Sequence, residues 1–176
     1  MLIKHHIALV GFMASGKSTI GKMLAEKINA DFCDLDEIIA SEEKKSIERI
    51  FAVKGEHYFR LVESKALKNL LSKKPAVMAL GGGAFIAPQA RHLLFGRATT
   101  IWIQANFNIL YKRLDSTNRP LVPRKGRYSA LGKLNNKRQS IYRKADLHVA
   151  SHQLNAEEVA DKVIKELKTS RFVLSD

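Results

Sequence analysis

Residues 7–19 read IALVGFMASGKST, and the order of residue types there decides the fold. Ile7 to Val10 is a short unbroken apolar run, which before a glycine loop reads as a buried parallel strand. Gly11, Gly16, Lys17 and Ser18 then fill the frame G-x-x-x-x-G-K-[ST]. Beyond it, Ile20, Met23, Leu24 and Ile28 recur at helical spacing, so a helix opens near Lys17. A loop between a buried strand and a helix N-terminus presents backbone N–H groups to an anion. Gly11, Ala14, Ser15, Gly16, Lys17, Ser18 and Thr19 are therefore the expected nucleotide contacts. Lys17 would reach the β- and γ-phosphates and the Ser18 hydroxyl would bind Mg²⁺. Should the loop require a positive φ at Ala14, alanine there carries modest strain.

Working outward, Asp31 to Asp36 reads as a second strand ending in acids. Residues 38–54 look helical but broken, with Ser46 as a candidate N-cap. Phe59, Val62, Ala66, Leu67 and Leu70 predict an amphipathic helix over 56–71. AVMAL at 76–80 and TTIWIQ at 99–104 are further strands, the first followed at once by Gly81, Gly82 and Gly83. Phe107, Leu110, Tyr111 and Leu114 mark a helix. Residues 118–128, with Pro120, Pro123 and Gly126, are predicted to be a mobile loop. A helix over 129–144, a strand over 147–150 and a helix opened by Asn155 and Glu158 complete the pattern. The tail from Thr169 is expected to be loose. Strands alternating with helices predict an α/β fold, a parallel sheet flanked by helices, with ligands at the carboxyl ends of the strands.

At 176 residues, with 45% apolar and 27% charged residues, one globular domain is the natural expectation. One cysteine, Cys33, excludes an internal disulfide and fits a reducing, cytoplasmic compartment. The opening residues carry no small-residue cleavage site, and no apolar stretch reaches the roughly 20 residues of a membrane helix. The formal net charge is +13. Such a balance suits nucleic acid, an anionic membrane surface or small anionic ligands. Between Lys112 and Asp146, eleven Lys or Arg face two Asp, so the excess is concentrated.

Four further clusters bear on chemistry. Asp34 and Asp36, on one side of a strand, could hold Mg²⁺ and take a proton from an acceptor hydroxyl, or be solvated acids with Asp36 capping a helix. Arg60 and Glu63, three apart on a helix, could be a surface ion pair, or Glu63 could orient the Arg60 fork toward a carboxylate. Gly81 to Gly83 either form a flexible turn or leave room for a ligand against backbone. Arg119, Arg124, Lys125 and Arg127 suggest a cationic lid, or a solvated basic loop.

Taken in order, these motifs resemble the shikimate kinases over residues 7–146. The most specific part is the frame Arg60-x-x-Glu63-x-x-x-Leu67 followed by VMALGGGAF at 77–85, with Asp34-x-Asp36 and Arg119-Pro120-Leu121 in agreement. The resemblance implies a P-loop nucleoside monophosphate kinase-like fold, with an acceptor-binding segment at about 36–63 and a lid at about 115–128. It implies transfer of the ATP γ-phosphoryl group to the 3-hydroxyl of shikimate, on the route to chorismate and aromatic amino acids. By the same resemblance Ser18 and Asp34 form the Mg²⁺ side, and Asp36 binds the shikimate hydroxyls and is a candidate base. Arg60 and Arg138 clamp the carboxylate with backbone contacts from Gly82 and Gly83. Lys17 and Arg119 stabilise charge, and Arg113 packs on adenine. ATP and Mg²⁺ are the cofactors. Shikimate is the partner of a monomer, with no nucleic acid and no membrane. A gluconate kinase of the same fold and a nucleic-acid-binding module are the rival readings.

Overall fold

The computed structural model describes residues 2–115, 126–170 and 174–175. In chain order the elements are β1 (Leu2–Ile3), β2 (His6–Val10), α1 (Lys17–Lys27), β3 (Phe32–Asp34), α2 (Leu35–Glu43), α3 (Ile47–Leu71) and β4 (Val77–Ala79). Then come a 3₁₀ turn (Ala84–Ile86), α4 (Pro88–Leu94), β5 (Ala98–Gln104), α5 (Phe107–Asp115), α6 (Arg127–Tyr142), β6 (Leu147–Ala150), α7 (Ala156–Thr169) and β7 (Leu174–Ser175). Five strands form one parallel sheet in the order β3-β4-β2-β5-β6. β2 is central, with Ile7 level with both Val77 and Thr99. The chain builds one half of the sheet, returns past β2 and builds the other half. The loop after β2 therefore opens at the switch point, where a parallel sheet leaves a crevice.

Alternation along β2 divides the interior in two. Ile7 and Leu9 join Ile20 and Leu24 of α1 and Val159, Val163 and Leu167 of α7. Ala8 and Val10 face the other way, with Leu35 and Ile39 of α2, Phe59 and Leu67 of α3, and Leu131 and Tyr142 of α6.

Several expectations hold in detail. The Ser46 hydroxyl accepts from the Arg49 N–H at 3.2 Å and opens α3, and Asn155 with Glu158 forms a reciprocal capping box at α7. The break foreseen within residues 38–54 falls between Glu43 and Ile47, where α2 ends and α3 begins, and α3 is itself kinked at Gly55, whose φ is +76°. Other expectations are corrected. β3 stops at Asp34, because the Asp34 carboxylate accepts from the N–H groups of Asp36 and Glu37 and caps α2. Asp36 thus lies in the first turn of a helix and not on the strand. α4, which carries Pro at its start, fills a stretch to which sequence assigns nothing. α6 begins at Arg127, two residues early, after Gly126 at φ +73°. In the tail, Leu174–Ser175 pairs antiparallel with Leu2–Ile3. The predicted loop falls outside the described residues from 118 to 125.

Candidate active site

The loop between β2 and α1 is held open from within. Gly16 caps α1 at φ +92°, a conformation that glycine enters without steric cost. Ala14 sits at φ +61°, so the strain foreseen for an alanine there is present. Lys17 is 8% exposed, and its ammonium donates to the Gly11 carbonyl at 3.1 Å and the Phe12 carbonyl at 2.9 Å. The charge thereby stands within the curve of the loop. A cleft of about 360 Å³ runs along residues 14–19 and on to Arg113 and Asn155. Arg113 donates from Nη1 to the Ala14 carbonyl at 3.2 Å, which ties α5 to the loop.

The Ser18 hydroxyl donates to Asp34 Oδ2 at 2.5 Å, so two hard oxygen donors meet at the mouth of the loop. Among the described residues no group of three or more His, Cys, Asp or Glu is placed to hold a metal. A small dication that keeps several waters and shares phosphate oxygens needs only one or two protein ligands. The Ser18 and Asp34 pair fits Mg²⁺ on those terms.

Beside the loop, three segments converge. Arg60 on α3 donates from Nη1 to Glu63 Oε2 at 2.6 Å and from Nη2 to Glu56 Oε1 at 3.2 Å. Burial works against the Arg60 charge, but the carboxylates of Glu63 and Glu56 outweigh it and hold its pKa above the ordinary value. Glu63 is buried, and burial pushes its carboxyl up despite Arg60. Among the described residues its second oxygen, Oε1, has no hydrogen-bond partner. The glycines are explained by space. A Cβ on Gly81 would lie 2.7 Å from Asp36 Oδ1, and one on Gly82 would lie 3.0 Å from the Met13 backbone nitrogen. A Cβ on Gly83 would collide with the Arg60 guanidinium. Arg138, on α6, closes the cluster by donating from Nη1 to the Gly82 carbonyl at 3.1 Å.

The family model described as shikimate kinase matches residues 13–168. A shikimate kinase of Thermodesulfovibrio yellowstonii is 36% identical over 92% of this chain and 94% of its own, and one of Aquifex aeolicus is 38% identical over 93% and 94%. The chain belongs to the shikimate kinase family. A solved shikimate kinase from Acinetobacter baumannii, in complex with shikimate, is 31% identical with a TM-score of 0.90, covering 95% of this chain and 94% of that one. A gluconokinase from Sinorhizobium meliloti, 15% identical with a TM-score of 0.56, shares the fold alone.

Gly11, Ala14, Ser15 and Gly16 lie in the loop and Lys17, Ser18 and Thr19 open α1, with Arg113 bonded across to Ala14. Asp36, Arg60, Gly82, Gly83 and Arg138 gather on the adjoining side, and Asp34 stays with Ser18 at the mouth of the loop. Arg119 lies outside the described residues. Sequence reasoning missed Tyr142, whose hydroxyl donates to the Gly82 carbonyl at 2.5 Å. Its signal was available, four residues after Arg138 on the same helix face. It also missed Glu56, one turn before Arg60 and bonded to it.

Proposed function

We propose that this chain transfers the γ-phosphoryl group of ATP to the 3-hydroxyl of shikimate, giving shikimate 3-phosphate and ADP. One observation carries the reading. Two arginines and an aspartate from separate helices converge on a glycine turn immediately beside a phosphate loop. A phosphate donor and a hydroxylated carboxylate are the pair of ligands that such a site accommodates.

Phosphoryl transfer relies mainly on positioning and on cations around the moving group. Lys17 and the loop N–H groups hold the β- and γ-phosphates, and Arg113 packs against the adenine. Ser18 and Asp34 would hold Mg²⁺, which would supply positive charge to the phosphate oxygens when bound with ATP. Arg60 and Arg138 grip the shikimate carboxylate, Gly82 and Gly83 offer backbone contacts, and Glu63 keeps the Arg60 fork in plane. Asp36 orients the 3-hydroxyl and receives its proton as the new O–P bond forms and the bond to the β-phosphate bridging oxygen breaks. Arg119, from the lid, adds charge stabilisation. We read the chain as one kinase domain with an acceptor-binding segment at about 36–63 and a lid at about 115–128. We place it in the cytoplasm. No helix among the described residues is long and apolar enough to cross a membrane.

The test is ADP release, coupled to an optical readout, with shikimate, quinate, gluconate and nucleoside monophosphates offered in turn. Shikimate is expected to be preferred. Turnover with gluconate and none with shikimate would overturn the reading.

A further inference from the structure

The Gly82 carbonyl accepts two donors at once, Arg138 Nη1 at 3.1 Å and the Tyr142 hydroxyl at 2.5 Å. Arg138 and Tyr142 stand one turn apart on α6, so one helix face delivers both. Tyr142 is 1% exposed and its ring packs on Trp102, with centroids 5.9 Å apart. Burial pushes the phenol up to about 12, so it remains a neutral donor at ordinary pH.

Arg138 has two calls on its guanidinium. It holds the Gly82 carbonyl, and a carboxylate gripped through two parallel N–H bonds competes with that carbonyl for the same fork. A part-buried carbonyl that loses its last donor destabilises the state in which this happens. We propose that Tyr142 is a positioning residue for acceptor binding, its hydroxyl keeping the Gly82 carbonyl bonded when Arg138 turns to the carboxylate. Arg138 is then released without stranding the glycine turn, and the Gly82–Gly83 peptide keeps its orientation in both states.

The inference rests on the proposed role of Arg138, and the experiment separates the two. Wild-type chain that makes no ADP with shikimate would remove the functional reading itself. Given wild-type turnover, Tyr142→Phe is expected to raise the shikimate KM about tenfold. The ATP KM and the kcat at saturating shikimate should stay within about twofold. A carboxylate-free cyclohexane triol, titrated as a ligand, should bind wild type and Tyr142→Phe equally, because Arg138 then stays on Gly82. In an Arg138→Ala background, Tyr142→Phe should lower the melting temperature but add nothing to the loss of shikimate affinity. An unchanged shikimate KM in folded Tyr142→Phe would overturn the proposal. So would an equal loss for ATP, an equal loss for the triol, or a full additive loss in the Arg138→Ala background.

Discussion

The phosphate loop draws its polar groups from residues 11–19 and rests, through α1, on the sheet face that carries Ile7 and Leu9. The acceptor pocket takes Asp36 from α2, Arg60 and Glu63 from α3, three glycines from the end of β4 and Arg138 from α6. Those helices pack on the opposite face, with Ala8 and Val10. One site is a contiguous curve of backbone, and the other is a meeting of side chains from separate elements. A backbone site tolerates side-chain changes as long as its dihedral angles persist. An assembled site depends on each contributor separately, so its residues should fail singly and with selectivity for one substrate.

Substitutions on the acceptor side should therefore hurt shikimate and spare ATP. The largest effect is expected for Asp36→Asn, with turnover lowered roughly 10²- to 10⁴-fold while ATP still binds. Calorimetric titration with ATP alongside steady-state rates checks this, and near-wild-type turnover would take Asp36 out of the mechanism. Arg60→Ala comes next, with a loss of about 1.5–3 kcal/mol in shikimate binding and little change for ATP. Equal losses for both substrates would mean that the two faces are not independent.

Glu63→Gln sharpens the same division through pH. In the fold the Glu63 carboxyl is raised above the ordinary 4.5, so it binds its proton at higher pH than in the unfolded chain. Its contribution to stability is fully present below the ordinary value and is lost as pH rises through the raised one. Thermal melts across that window should lose this component in Glu63→Gln, and the shikimate KM should rise several-fold as Arg60 loses its charged partner. Identical pH profiles in the two proteins would show that Glu63 does not titrate in this way. The smallest effect belongs to the phosphate loop. At φ +61°, Ala14→Gly relieves strain of at most about 1 kcal/mol. A slightly raised melting temperature and a modest change in ATP affinity are expected, with shikimate affinity untouched.

The same contrast explains what was readable in the chain. A strand, a glycine frame and a helix lie in succession, so the phosphate loop could be placed from residue spacing alone. Arg60 with Glu63 was visible because a helix repeats every three to four residues. Asp34 and Asp36 were placed on one strand because alternation was assumed to continue. A carboxylate that bonds to the next two N–H groups ends the strand instead, and that competition is local but does not show in hydropathy. Tyr142 and Gly82 lie 60 residues apart, and no periodicity links a phenol to a distant carbonyl. The role of Arg138 likewise came from resemblance to a family, and its bond to Gly82 is a tertiary fact.

The three glycines after β4 also bear on how this pocket could be redesigned. Each missing methyl group is occupied by something different: the tip of a carboxylate at Gly81, a peptide nitrogen at Gly82 and a guanidinium at Gly83. An alanine at Gly81 or Gly83 would push a side chain that can swing aside, changing which acceptor is accommodated. At Gly82 the obstacle is main chain of the phosphate loop, so a methyl group there would press one substrate's site into the other's. A methyl group at the first or third position would act on acceptor binding through Asp36 or Arg60, while the second holds the two sites in register.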